Sequence, residues 1–293
     1  MTVELSVSTR LNKQIEQAVE ICNESANEAK KIGYMAKALV IATMPHRDTG
    51  RNEFVRKNGR YQLVMMSPSS IGLPSGSLPR LILAWIITEA VKTKKREIQL
   101  GKSLASFMKE MDLCATGGQW GSIKRIKEQM KRLFATSISL IEDEADVFLK
   151  QGLSPVESAN VWWNPTTNVK SESSITLSES FFNMITANPV PIDLRALIHL
   201  KQSPMKIDIY IWLTYRYSSL KKKVAIKWPD LQMQFGSVYS DDDRGRRNFK
   251  SKFKACLEKV CLVYPSANYE IKTQVLILLP SETHVQKRGR FND

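Results

Sequence analysis

Apolar residues along the chain recur with two spacings. A recurrence every three or four residues predicts a helix with one buried face. Short apolar or alternating runs between turn residues predict strands. Leu11, Ile15, Val19, Cys22, Ala26, Ala29 and Ile32 predict an amphipathic helix over 10–32. Residues 36–66 read as extended, with an apolar run at 38–43, turns at 48–50 and 57–60, and a strand at 61–66. Asn58-Gly59 between two extended runs is a hairpin signal, because both residues tolerate positive φ. Residues 67–79, rich in Ser, Gly and Pro, read as a loop. The stretch 81–94 is apolar almost all round at its start, as a core helix is. A strand at 96–100, a helix from Ser103 to Leu113, a turn at 115–118 and a helix over 119–134 follow. Then come a strand at 138–141, an acidic turn at 142–146, and short strands at 147–149, 161–163 and 175–177.

Beyond Pro189 and Pro191 the order recurs. A short helix at 194–201 precedes a core helix at 206–220, a strand at 224–228 and a helix opened by Pro229 that reaches Phe235. A turn at 236–245, a helix over 246–263 and a strand at 269–279 complete it. Sliding the chain on itself by 127 residues sets Trp85 on Trp212, Leu104 on Leu231, Ile126 on Phe253, Met130 on Leu257, Leu133 on Val260 and Lys127 on Lys254. Helix–strand–helix–turn–helix–hairpin is the order of a winged helix, a helix-turn-helix variant whose last helix enters the major groove. The expected fold is therefore α+β: two tandem winged-helix domains with an N-terminal helix. The expected bounds are 1–35 for the helix, 36–188 and 189–285 for the two domains, and 286–293 for a disordered basic tail.

Charge gives the repeat a meaning. Lys and Arg number 43 against 29 Asp and Glu, a formal net charge of +14. The excess is uneven, at +9 over 201–293 and −2 over 151–200. In the two long helices an apolar stripe (Ile123, Ile126, Met130, Leu133, Phe134; Phe249, Phe253, Cys256, Leu257, Val260) is flanked by a basic face. Packing explains the stripes but not a basic face occurring twice where this fold presents its recognition helix. Lysines there would neutralise phosphates and release counterions. An arginine or amide near the helix start would read base edges. The candidate DNA-binding residues are Gln119, Lys124, Arg125, Lys127 and Lys131 in the first helix, and Arg246, Arg247, Asn248, Lys250 and Lys254 in the second. Trp120 is expected to pack under the turn.

Other chemistries find little support. Gly101-Lys102-Ser103 resembles the end of a phosphate-binding loop, but Arg96 stands where the motif needs its first glycine. Gly72 to Gly76 lacks the order of a nucleophile elbow. Histidines 46, 199 and 284 lie far apart, and cysteines 22, 114, 256 and 261 have no C-x-x-C spacing, which argues against zinc. The acidic cluster Glu142, Asp143, Glu144 and Asp146 suits a nuclease metal less well than a solvated turn. Asp241-Asp242-Asp243 suits a helix start, where the dipole favours negative charge. No secretory signal is evident, and the longest apolar run, 81–87, is far short of a membrane span. The expectation is a cytoplasmic, non-enzymatic protein that binds double-stranded DNA without a cofactor, a metal or a membrane. A transcriptional repressor satisfies the same chemistry.

Several blocks taken together resemble the plasmid-encoded RepA replication initiators. They are Leu73-Pro74 with 76–80, Leu83-Ala84-Trp85, Thr88-Glu89-Ala90, 116–118 with Trp120-Gly121, 189–197, 208–216 and Gln234-Phe235-Gly236. The resemblance covers roughly 50–285, and residues 1–35 carry no such block. Ser75 stands where the family usually has an aromatic residue. The resemblance implies binding to repeated sites (iterons) in plasmid origin DNA, help in opening the origin, recruitment of the host initiator and helicase, and repression of its own promoter as a homodimer.

Overall fold

The computed structural model describes residues 2–100, 108–109, 113, 122–144, 147–161, 173–236 and 239–286. The chain folds into two compact units. One, here the central unit, holds Tyr34–Pro189 with Met233–Ser237. The other, the C-terminal unit, gathers Met1–Gly33, Val190–Gln232 and Val238–Asp293. The chain opens with helix α1 (Thr2–Asn23) and strand β1 (Ile32–Ala36). The expected helix over 10–32 thus starts earlier and stops at Asn23. Ser25 and Glu28 then close a separate turn: the Ser25 amide and hydroxyl donate to Glu28 Oε2 at 2.9 and 2.7 Å, and the Glu28 amide returns to Ser25 Oγ at 3.3 Å. This capping-box pattern favours a new turn over continuing the old helix.

In the central unit, α2 (Lys37–Ile41) replaces part of the extended run expected from residue 36. Its last carbonyls find side-chain donors, which makes the short helix affordable. Gln234 Nε2 donates to Val40 and Ile41 O at 3.0 and 3.1 Å, and Asn58 Nδ2 donates to Ile41 O at 2.6 Å. Strands β2 (Glu53–Asn58) and β3 (Tyr61–Met66) form the expected hairpin, with Asn58 opposite Tyr61 and Gly59 at φ +57 in the turn. Next come α3 (Ser77–Thr93), β4 (Glu97–Gln99), α4 (Ser122–Ala135), β5 (Ser137–Glu144) and β6 (Val147–Gly152). Strands β2, β3, β5 and β6 make one antiparallel sheet in the order β2-β3-β5-β6. Glu142 and Asp143 therefore lie in a strand rather than a turn, and Glu142 pairs with Arg60 at 2.9 Å. Strands β7 (Val156–Asn160) and β8 (Ser174–Leu177) join β4 in a second sheet, ordered β4-β8-β7.

Helix α5 (Glu179–Ala187) follows, with Ser178 Oγ accepting from the Phe181 amide and Phe181 and Ile185 buried one turn apart. The sequence pattern predicts no element over this stretch. The expected helix over 103–113 and turn over 115–118 fall almost wholly outside the described residues, as do Trp162 and Trp163 and the tail from 287.

The chain continues through β9 (Pro189–Asp193), α6 (Leu194–His199), α7 (Pro204–Tyr217), β10 (Val224–Lys227), α8 (Trp228–Phe235) and α9 (Asp243–Cys261), all in the C-terminal unit but for Pro189 and the last three residues of α8. The strand expected over 269–279 is a hairpin, β11 (Tyr269–Ile271) and β12 (Val275–Leu278). Sheet order is β10-β12-β11, all antiparallel. Within this unit α1 is tied to α6. The Leu194 amide donates to Lys31 O at 3.0 Å, and Arg195 reaches Glu24 O at 2.7 Å and Glu24 Oε2 at 3.1 Å while gripping buried Asp193 at 2.8 Å.

Ser77 and Pro204 open α3 and α7, Glu97 and Val224 open β4 and β10, and each pair is 127 residues apart. In both units a nearly all-round buried helix carries a long amphipathic one. The three strands share one order, the first pairing with the last and the last with the middle one. The central unit differs by the β5–β6 hairpin inserted between α4 and β7.

Candidate nucleic-acid interface

Helices α4 and α9 are held by their apolar stripes. Ile126, Met130 and Leu133 are buried on α4, and Phe249, Phe253, Cys256, Leu257 and Val260 on α9. Phe253 takes Trp212 and Trp228 edge-on, with ring centroids 6.4 and 6.0 Å away. At 100° per residue, Lys124, Lys127 and Lys131 fall on one flank of α4, and Arg247, Lys250 and Lys254 on the same flank of α9. Lys124, Arg125 and Lys131 are exposed and Lys127 is half-buried; Arg246, Arg247 and Asn248 are exposed and Lys250 and Lys254 half-buried. Gln119 lies outside the described residues.

The other flank of α4 is occupied within its own unit. Arg132 Nε pairs with Glu128 at 2.9 Å, while its Nη1 pairs with Asp48 at 2.5 Å and donates to Leu73 O at 3.3 Å. Gln129 Oε1 accepts from the Ser75 amide at 2.9 Å. The Arg132 bond holds the Asp48 carboxyl below its ordinary range, and its two acids raise the Arg132 guanidinium further despite its desolvation. The lysine flank of α4 is therefore the one turned away from the 67–76 loop.

Two of the predicted contacts on α9 are engaged by the protein itself. Arg246 Nε and Nη2 donate to Asp241 Oδ1 and O at 3.1 and 2.9 Å. Lys250 Nζ donates to Thr273 O at 2.6 Å, in the turn between β11 and β12, and burial together with the Lys254 charge lowers its pKa. The helix start itself is well made. Asp242 Oδ1 accepts from the Gly245 amide at 2.6 Å, and this bond, the largest cause, holds its carboxyl below the ordinary range. The β11–β12 turn, Lys272-Thr273-Gln274, is exposed beside α9, where the sequence predicts one unbroken strand over 269–279. The alternation of Tyr269 and Ile271 with Glu270 and Lys272 hides the break; three successive polar residues, 272–274, are the available signal.

Among the described residues no group of three or more His, Cys, Asp or Glu is placed to hold a metal ion, and no helix is long and apolar enough to cross a membrane.

The protein so described is a basic α+β chain of two units, each with a long amphipathic helix whose basic flank faces outward. The same fold is found in a crystal structure of domains 2 and 3 of RctB, with a TM-score of 0.50 and 12% identity over 83% of this chain and 96% of that one. A crystal structure of the selenomethionine derivatives of the same two domains gives 0.54 and 12% over 86% and 97%. Comparison with curated proteins finds no match. The family described as plasmid encoded RepA protein matches residues 73–229, more than half of the chain. The chain belongs to this family, and plasmid replication initiation is the role that goes with it.

Proposed function

We propose that the protein initiates plasmid replication by binding double-stranded origin DNA at repeated sites, through α4 and α9 acting as the recognition helices of two winged-helix domains. One observation carries the reading. The element order core helix, edge strand, long basic helix, two-stranded return occurs twice, with the basic flank outward each time. Supporting it, the excess charge gathers in the segment that contains α9. On this reading Lys124, Lys127, Lys131 and Lys254 meet phosphates, and Arg125, Arg247 and Asn248, near the helix starts, are the candidates for base edges. Binding positions the initiator to help open the origin and bring host initiator and helicase to it, and a homodimer would serve at its own promoter.

The test is binding of the purified full-length protein to a duplex from the DNA flanking its gene, at several salt concentrations. Lys127→Glu and Lys254→Glu should each weaken binding about tenfold or more and lower the slope of log K against log salt by about one. Wild-type affinity and slope in both variants would overturn the placement. Replication of a plasmid bearing only the origin, with the protein supplied in trans, separates an initiator from a repressor.

A further inference from the structure

At the tip of the β11–β12 hairpin, three successive carbonyls are each taken by a donor from elsewhere in the C-terminal unit. Lys272 O accepts from Trp228 Nε1 at 3.2 Å, Thr273 O from Lys250 Nζ at 2.6 Å, and Gln274 O from the Trp228 amide at 3.3 Å. The Lys250 ammonium lies 5.0 Å from the centroid of the Trp228 ring, and Trp228 is itself buried edge-on against Phe253. The hairpin closes through the Lys272 amide, which donates to Val275 O at 2.9 Å. Its turn contains no Gly, Pro or Asn to preset its backbone, so much of its order has to come from outside.

We infer that Lys250 and Trp228 form a lock that fixes the tip of this hairpin, and that Lys250 is a positioning residue for DNA recognition rather than a phosphate ligand. The inference rests on the DNA-binding reading above and reassigns one of its residues. An ammonium anchored by a carbonyl at 2.6 Å and by an indole face would have to give up both to leave the hairpin tip for a phosphate, although its remaining N–H groups stay at that tip. A fixed tip holds exposed Lys272, Thr273 and Gln274 beside α9 before any ligand arrives, so less ordering entropy is lost on binding. In the sequence, 127 residues earlier, Ile123 and Gly101 correspond to Lys250 and Trp228, and neither side chain can donate.

Amide hydrogen exchange of the DNA-free, full-length protein tests the lock directly. Lys250→Met should speed exchange of the Trp228 and Lys272 amides roughly tenfold, with the α9 amides at Phe253 and Leu257 unmoved. Trp228→Phe, which keeps the ring and removes the indole N–H, should do the same, Lys250→Arg should largely restore protection, and Lys254→Met should change nothing. In the DNA assay Lys250→Met should weaken binding about tenfold and shrink the footprint at the edge covered by the hairpin. Wild-type exchange at Trp228 and Lys272 in Lys250→Met would overturn the lock. Faster exchange with unchanged DNA affinity would overturn the recognition role given to the hairpin. Absence of DNA binding by the wild-type protein would instead overturn the proposed function, leaving the exchange result intact.

Discussion

Single side chains decide how much of the +14 is available to a partner. Arg80 stands in the block 76–80 that resembles the initiator family, yet it is 1% exposed. Its guanidinium donates to the carbonyls of Met44 (2.7 Å), Pro45 (3.2 Å) and Gly76 (2.6 Å), holding the segment before β2 and the start of α3 together. A guanidinium presents five donors in a fixed fork, so lysine is no substitute here. Arg80→Leu should cost about 3 kcal/mol in urea unfolding, because carbonyls are left buried without donors, and Arg80→Lys should recover little of it. Unaltered stability in Arg80→Leu would show that water replaces the fork. Lys250 gives the same lesson on the surface. In the sequence a lysine aimed at a carbonyl is indistinguishable from one aimed at a phosphate.

At the level of elements, what was legible had a one-sided pattern. The stripes Ile126-Met130-Leu133 and Phe249-Phe253-Leu257-Val260 identify α4 and α9, and the nearly all-round apolar character of α3 and α7 marks them as core helices. Asn58-Gly59 marked the β2–β3 hairpin because a positive φ is needed there. The stretches not legible in the sequence are short or depend on distant partners. Helix α2 rests on Gln234 and Asn58, α5 is only nine residues long with Ser178 as its cap, and the turn at 272–274 depends on Lys250 and Trp228. Gly245 shows how an element can be built around one close approach. A Cβ there would stand 2.0 Å from Ser240 O, which is backbone and cannot swing aside. Alanine in a helix interior is ordinarily favoured over glycine by about 1 kcal/mol. Gly245→Ala should nevertheless destabilise the protein by about 1–3 kcal/mol through overpacking, and the midpoint of thermal unfolding should fall. A raised midpoint would mean that the segment before α9 shifts freely.

For the whole molecule, acidity offers a readout that belongs to no single contact. His284 donates or accepts at Tyr210 Oη over 2.8 Å and stacks obliquely on Tyr264, while the Asp193 amide donates to the same Tyr210 oxygen at 2.9 Å. Burial holds the His284 pKa below its ordinary 6.5, outweighing the opposing pull of Asp193. Burial and the Lys206 charge lower that of His199. On unfolding below pH 6.5 each takes up a proton that it resists in the folded state. Stability is therefore full above that pH and declines as pH falls through and below it, by up to about 1.4 kcal/mol per pH unit for each histidine. Urea midpoints between pH 7.5 and 5.5 should show this decline, and His284→Gln should flatten it. A profile parallel to the wild type in that variant would remove His284 from the account.

Helix α1 belongs to a unit whose other parts are made only after the central unit. Its anchors, Leu194 and Arg195, are made about 170 residues after Asn23 ends the helix. At ordinary translation rates α1 waits roughly 10–30 s outside the ribosome while the central unit, from Tyr34 to Pro189, is synthesised. A helix made this long before its anchors is open to chaperones throughout that interval.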